Sequence, residues 1–192
     1  MTSANLHALP ALLDDDPAIA SVLGRSSAVL SAPEPARALV VAAIAEAAGR
    51  RPLLIATPTT AEAERLANDL SAYLGDDVVD VFPAWETLPF ERVSPAVDTM
   101  ARRLRTMWHL RDPDGLAAAD RGGVRPRVVV APIRALVQRL GPHVEDAEPI
   151  VVGQGDEVDP VELVERLVAM GYRREYQVEH RGEVAVRGSI VD

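Results

Sequence analysis

The sequence predicts an α/β protein: a parallel-sheet domain with helices on both faces, followed by a smaller α+β module. Between Ala28 and about Leu140, short apolar runs of strand type alternate with segments of helical spacing, as chains of βαβ units do. From about Glu148 this alternation gives way to one capped helix and several short strand-like pieces. The composition agrees, because 48% of the 192 residues are hydrophobic and only 4% aromatic. Small aliphatic side chains must therefore build the interior, and the length suffices for one good core or two small ones.

The elements follow in order. Residues 1–25 hold short apolar pieces, "LHALPALL" and "PAIASVLG", broken by Pro10, the acidic turn Asp14–Asp16 and Pro17. They are expected to form lead-in helices packed on the first domain. "AVLSA" (28–32) is expected as a short strand. "PARALVVAAIAEAAG" has Pro35 near its first turn and Gly49 as its stop, with Ala36, Leu39, Val40, Ala43, Ile44 and Ala47 at helical spacing. "PLLIATP" reads as a buried strand. "TTAEAERLANDLSAYLG" opens on a capping box, Thr59 with Glu62 three residues on, and turns Ala63, Leu66, Ala67, Leu70, Tyr73 and Leu74 to one side. "VVDVFP" is the next strand, and a proline-rich loop containing Trp85 and Phe90 follows, held on the core by its aromatic side chains.

"DTMARRLRTMWHLRD" is expected to be a helix capped by Asp98, with Met100, Leu104, Met107 and Trp108 on one side. Arg102, Arg103 and Arg105 are expected on a solvated or salt-bridging face. "DPDGLAAADRGGVRPR" (112–127) is a polar insertion with the composition of a mobile loop. "RVVVAP" closes the sheet ahead of the helix "IRALVQRLG". In the second module "EPIVVG" is expected as a strand. A helix then starts at Asp159, with Pro160 in its first position and Glu162 completing the box, and stops at Gly171. A hairpin is expected next, its arms "YQVE" and "EVAVRG" meeting at "HRG". The closing "GSIVD" reads as a strand that nothing terminates, so the chain is expected to be cut within a domain.

Charge and residue usage exclude several chemistries. A net charge of −9 opposes autonomous binding of nucleic acid, whose affinity comes mainly from neutralised phosphates. Every basic side chain is arginine and lysine is absent, which removes Schiff-base and phosphate-loop lysines. There is no cysteine, hence no disulfide or thiolate zinc site. His7, His109, His143 and His180 are widely spaced, so no metal site is expected, and His109 lacks the neighbours of a catalytic constellation. Neither a leader nor a membrane span is legible, and a cytoplasmic protein without membrane contact is expected.

The turn between "AVLSA" and the following helix is where a nucleotide-driven motor would hold phosphates. Such a loop needs glycines that let backbone N–H groups converge, a lysine for the β/γ-phosphates and a hydroxyl for magnesium. Here the positions are Ala32, Pro33, Glu34, Pro35, Ala36, Arg37 and Ala38. Two prolines remove two donors, Glu34 places a carboxylate against the phosphates, and Ala38 cannot ligate magnesium. The frame is either an α/β turn that never held nucleotide or the remnant of one that did. In both cases no ATP or magnesium is expected at this loop, and no catalytic residue is assigned.

"PLLIATPTTAEAERLANDL" resembles the motif that follows the phosphate loop in superfamily 2 helicases, so the first domain looks like a degenerate phosphate-loop, RecA-like fold. "VFPAWETLPFERVSPAVDTMARRL", "RVVVAPIRALVQRL" and "GYRREYQVEHRGEVAVRGSIVD" are closer to one family. They resemble the N-terminal, UvrB-like region of the bacterial transcription-repair coupling factors (Mfd), and the likeness runs from Ala28 onward. The resemblance implies residues 26–145 as a UvrB-like domain 1A with an inactive phosphate loop, and 146–192 as the start of a UvrB-like domain 2. It implies that ATP hydrolysis, with its ATP and magnesium, belongs to a C-terminal motor in the full-length protein, as do contacts with RNA polymerase and DNA. No room remains between "SPAVDT" and "RRLRTMWHL" for the long aromatic hairpin that UvrB inserts between DNA strands.

The implied partner is UvrA, the damage-recognition ATPase, with the full-length protein's own C-terminal region as a competing, autoinhibitory occupant of the same surface. Matching the UvrB-like pattern position by position assigns Arg173 or Arg174, and Arg187, to that surface. A further arginine of UvrB falls on Ala185 here. Strand alternation would turn Val184 and Val186 inward and Glu183, Ala185 and Arg187 outward. The competing expectation is a nucleotide-dependent helicase or excinuclease subunit of UvrB type, active in its own right, which the loop at 32–38 opposes.

Overall fold

The computed structural model describes residues 6–49, 52–88, 91, 94–111, 126–140 and 149–192. The insertion expected at 112–127 falls mostly outside these residues, as do Phe90 and His143. A 3₁₀ turn at Pro10–Leu13 and helix α1 (Pro17–Val22) lead in. The Asp16 carboxylate accepts from the N–H of Ala18 to cap α1, and both pieces pack on α2 (Arg37–Ala47).

The sheet consists of β1 (Leu53–Thr57), β2 (Val79–Val81) and β3 (Val128–Pro132) in the order β1–β3–β2, all parallel. Leu53 and Val79 both align with Val128. Central β3 is buried at every position, which its unbroken apolar sequence requires of a strand covered on both faces. On one face lie α2 and α3 (Thr60–Leu74), where Ala38, Ala42 and Ala45 meet Ala63, Ala67, Leu70, Val128 and Val130. Thr59 caps α3 by accepting from Glu62 N–H at 3.2 Å. On the other face α4 (Val97–Arg111) and α5 (Ile133–Val137) cover β2 and β3 through Phe82, Val129, Ala131, Ala135 and Met107.

Several expectations change. "AVLSA" is no strand, and Val29 is 97% exposed. The described sheet stops at three strands in the order β1–β3–β2, and this run adds to neither outer edge, so an apolar run alone secures no partner. Of the stripe predicted for α2 only Ala43 is fully buried, and Ala38, Ala42 and Ala45 complete the buried side. A helix apolar all round gives no unique face, and its smallest residues permit the closest approach to α3.

The second module holds α6 (Pro160–Ala169). Asp159 caps it at 2.8 Å to Val161 N–H, and Gly171, at φ +101°, follows its end. The strand expected at "EPIVVG" does not form, and Gly153 N–H instead meets the Asp156 carboxylate at 2.7 Å in a local turn. The hairpin also moves. β4 (Arg173–Arg174) pairs in parallel with β5 (Glu183–Val184), while β6 (Val186–Arg187) and β7 (Ile190–Val191) make an antiparallel hairpin across Gly188–Ser189. Ala185 and Asp192 exchange two backbone hydrogen bonds, extending that hairpin by one pair. Among the described residues, no helix is long and apolar enough to cross a membrane.

Candidate functional site and its supports

The turn at 32–38 is built tightly. Pro33 leads into a 3₁₀ turn over Glu34–Ala36. Ala36 N–H donates to Pro33 C=O at 2.9 Å, and Arg37 N–H donates to Glu34 C=O. These amides are engaged within the turn itself, and the two prolines have no N–H to offer. Glu34 and Arg65 approach to 4.0 Å at the surface. The residues present do not reproduce the converging donors of a phosphate cradle.

Helix α4 departs most from its sequence pattern. Its buried side chains are Thr99, Arg103, Thr106 and His109, whereas Met100 is 39% exposed. The turned-in face is polar because most of it meets a partner. Thr99 hydroxyl donates to Glu86, which holds that carboxyl below its usual range. His109 Nδ1 lies 2.7 Å from Asp80 Oδ2, both side chains buried. Arg103, 3% exposed, slots its guanidinium between the rings of Phe82 (4.1 Å) and Trp85 (4.4 Å) and donates to Pro83 C=O at 2.6 Å.

The expected arginine face therefore divides three ways. Arg103 is buried, with Nε and Nη2 lacking hydrogen-bond partners, and desolvation lowers its pKa while leaving it charged. Arg102 forms a two-pronged pair with Glu64 of α3 at 2.8 and 3.1 Å, which raises its pKa. Arg105 is exposed. Trp85 is anchored, as expected, and Gln138 at the end of α5 adds to this by bracketing its backbone: Trp85 N–H to Oε1 at 2.8 Å, and Nε2 to Trp85 C=O at 3.3 Å. Asp98 lies inside the first turn of α4 rather than at its cap, and pairs with Arg181 of the second module. Beside that pair, Gly182 faces Val97 closely enough that an added Cβ would lie 3.6 Å from its Cγ1.

The surface arginines of the second module are unequal. Arg173 Nη2 reaches Glu183 Oε1 at 3.1 Å. Glu183 is itself fixed, because its other oxygen accepts from the N–H groups of Glu179 and His180, each at 2.9 Å. These amide bonds keep its carboxyl below the usual range. They also explain the displaced hairpin, since they fold 179–182 into a turn that sets Glu183 beside Arg173. Arg187 points outward, as expected, but meets Asp192 across its hairpin at 2.7 Å. Arg174 is exposed, and its guanidinium has no hydrogen-bond or ion-pair partner among the described residues.

The alternation expected from Glu183 to Arg187 holds only in part. Val184 is 1% exposed, but Ala185, expected outward, is 0% exposed because it lies between β5 and β6. An arginine could not occupy that place without rebuilding the packing. Sequence reasoning missed Glu183, Asp192 and Gln138. Only the Arg187/Asp192 spacing, five residues across a Gly-Ser turn, offered a signal. Among the described residues no cluster of His, Asp or Glu could hold a metal ion.

Residues 150–192 match the UvrB interaction domain family. The chain is 42% identical over 163 residues to the transcription-repair-coupling factor of Mycobacterium tuberculosis (strain CDC 1551 / Oshkosh), a match covering 85% of the chain and 13% of that protein. It is 34% identical over 140 residues to the Haemophilus influenzae protein of the same name, covering 72% and 11%. For the Escherichia coli K12 protein, also a transcription-repair-coupling factor, the figures are 33% over 157 residues, 81% and 12%. The chain thus spans about an eighth of the length of the curated relatives it matches. By these matches the chain belongs to the transcription-repair-coupling factor family, corresponding to its N-terminal region, with a UvrB interaction domain at residues 150–192.

Proposed function

We propose that this chain is a UvrA-docking module that brings nucleotide excision repair to stalled RNA polymerase and does not itself hydrolyse ATP. The observation that carries the reading is the match of residues 150–192 to the UvrB interaction domain, on a module whose arginines stand at the surface. Arg173 or Arg174, together with Arg187, make the contact; Arg187 side chain is 65% exposed and Arg173 side chain 70%. Residues 26–145 serve as a UvrB-like domain 1A scaffold, and 146–192 as the start of domain 2.

The loop at 32–38 supports the inert half of the reading, because Ala36 and Arg37 amides are bonded within the turn and Glu34 opposes a triphosphate. ATP and magnesium then belong to a motor elsewhere in the full-length protein, as do contacts with polymerase and DNA. In that protein the C-terminal region competes for the same surface and holds it closed until the motor engages.

Two measurements on the chain test this. UvrA should co-purify with it, and Mg-ATP should leave its melting temperature unchanged, since a ligand bound to the folded state must raise it. Loss of the first overturns docking. A clear rise in the second favours the nucleotide-dependent alternative.

A further inference from the structure

We infer that the outer edge of β2, open in a polar cleft between α3 and α4, receives the carboxyl terminus of a partner polypeptide, added to the sheet as a short parallel strand. The site lies in the first domain and is independent of the UvrA reading.

The backbone supplies the first half of the case. Phe82 N–H donates to Val130 C=O at 2.9 Å and Arg127 N–H to Val78 C=O at 2.8 Å, so residues 78, 80 and 82 turn their peptide groups toward β3. Alternation then turns the Val79 carbonyl and both the N–H and C=O of Val81 outward, where they have no hydrogen-bond partner among the described residues. These three groups are what a parallel strand requires. One incoming residue spans Val79 C=O and Val81 N–H, and the residue two further on donates to Val81 C=O. Open edge groups of this kind are where an added chain pairs, main chain to main chain.

The cleft over this edge has a volume of about 200 Å³, walled by Asn68 and Ser71 of α3 and by Arg105 and Thr106 of α4. Thr106 is only 2% exposed, yet its hydroxyl has no hydrogen-bond partner among the described residues. A buried hydroxyl left unpaired is costly unless something arriving in the cleft engages it.

Charge selects a chain end over an internal segment. The Arg102–Glu64 pair, at 2.8 and 3.1 Å, joins helices on opposite faces of the sheet and so passes round the outer edge of β2. Arg103, the next residue, holds Pro83 C=O, which places this bridge beside the C-terminal end of the strand. A parallel segment running along the edge meets the bridge and stops there. Arg102 is engaged by Glu64, and Asp80 by His109 at 2.7 Å. Arg105 is exposed and has no partner among the described residues, so a terminal carboxylate gains a full charge-assisted pair with it. Asp76, just before β2, also lines the cleft and repels a carboxylate at that end, which sets the direction of the incoming chain.

The test is an NMR titration of the isotopically labelled chain with the tripeptide acetyl-Ala-Val-Ala carrying a free carboxylate, against its C-terminally amidated form. Saturable shifts at Val81 and Thr106 are expected, with the millimolar affinity of so small a ligand, and the Val81 amide should become protected from hydrogen exchange. The amidated peptide should bind at least tenfold more weakly. Arg105→Ala, an exposed change that should melt with the parent, is expected to bind both peptides alike. Absence of shifts, equal binding of the two peptides by the parent chain, or shifts without protection of Val81 would each overturn the inference. The same shifts on concentrating the chain alone would assign the edge to a second copy and overturn it too.

Discussion

Arg103 offers the sharpest test of how the first domain is held together. Truncation to alanine removes a guanidinium packed between Phe82 and Trp85 at 4.1 and 4.4 Å and hydrogen-bonded to Pro83 C=O at 2.6 Å. The two ring contacts contribute about 1 kcal/mol each, the charge-assisted hydrogen bond about 1.5–3 kcal/mol, and the space left behind adds a cavity term of about 2 kcal/mol. Against these stands relief of the buried, unpartnered Nε and Nη2, about 1–3 kcal/mol for each donor. The net expectation is a loss of about 2 kcal/mol for Arg103→Ala. Arg103→Met fills the slot, keeps contact with both rings and carries no unpaired donor, so it should lie within about 1 kcal/mol of the parent. Urea unfolding followed by tryptophan fluorescence reads both, since Trp85 is one of two tryptophans. A Met variant as unstable as the Ala variant would refute the reasoning, because the cation rather than the filled slot would then be what the loop requires.

Other outcomes follow from single contacts. Glu183 has a folded pKa below its ordinary value of 4.5, so its contribution is complete above that value and is lost as pH falls through the lowered one. The stability gap between the parent and Glu183→Gln should be constant above about pH 5.5 and shrink on acidification; a gap independent of pH contradicts the assignment. Thr59→Ala should cost about 1 kcal/mol by uncapping α3, and an unchanged melting curve would show the cap to be idle. The Arg181–Asp98 contact joins exposed side chains, 72% and 49% accessible. A double-mutant cycle should therefore give no more than about 1 kcal/mol, fading with salt, and a larger, salt-resistant coupling would mean that the two modules are locked together.

Much of the fold was legible from periodicity and punctuation. The alternation of apolar runs located β1, β2 and β3 within a residue or two, and Thr59 and Asp159 marked helix starts because capping is local chemistry. What failed was decided by partners distant in sequence. Val29 lies in a strand-like run, yet that run pairs with neither outer edge of the sheet. The apolar stripe of α4 held only in part: Met107 packs on the core, but the most buried positions go to Thr99, Arg103 and His109, which find Glu86, Pro83 and Asp80 from 13 to 29 residues away. In the second module the arginines were visible in sequence. Glu183, which restrains Arg173, depends on a turn that the Glu179 and His180 amides hold, and Asp192, which restrains Arg187, depends on the β6–β7 hairpin.

The most direct test of the docking account is a calorimetric titration of UvrA into the chain, repeated with Arg187→Ala. The account predicts saturable binding that weakens by about thirtyfold in the variant, equivalent to about 2 kcal/mol for a desolvated charge pair. Binding that is absent from the parent, or unchanged when Arg187 is removed, would contradict it.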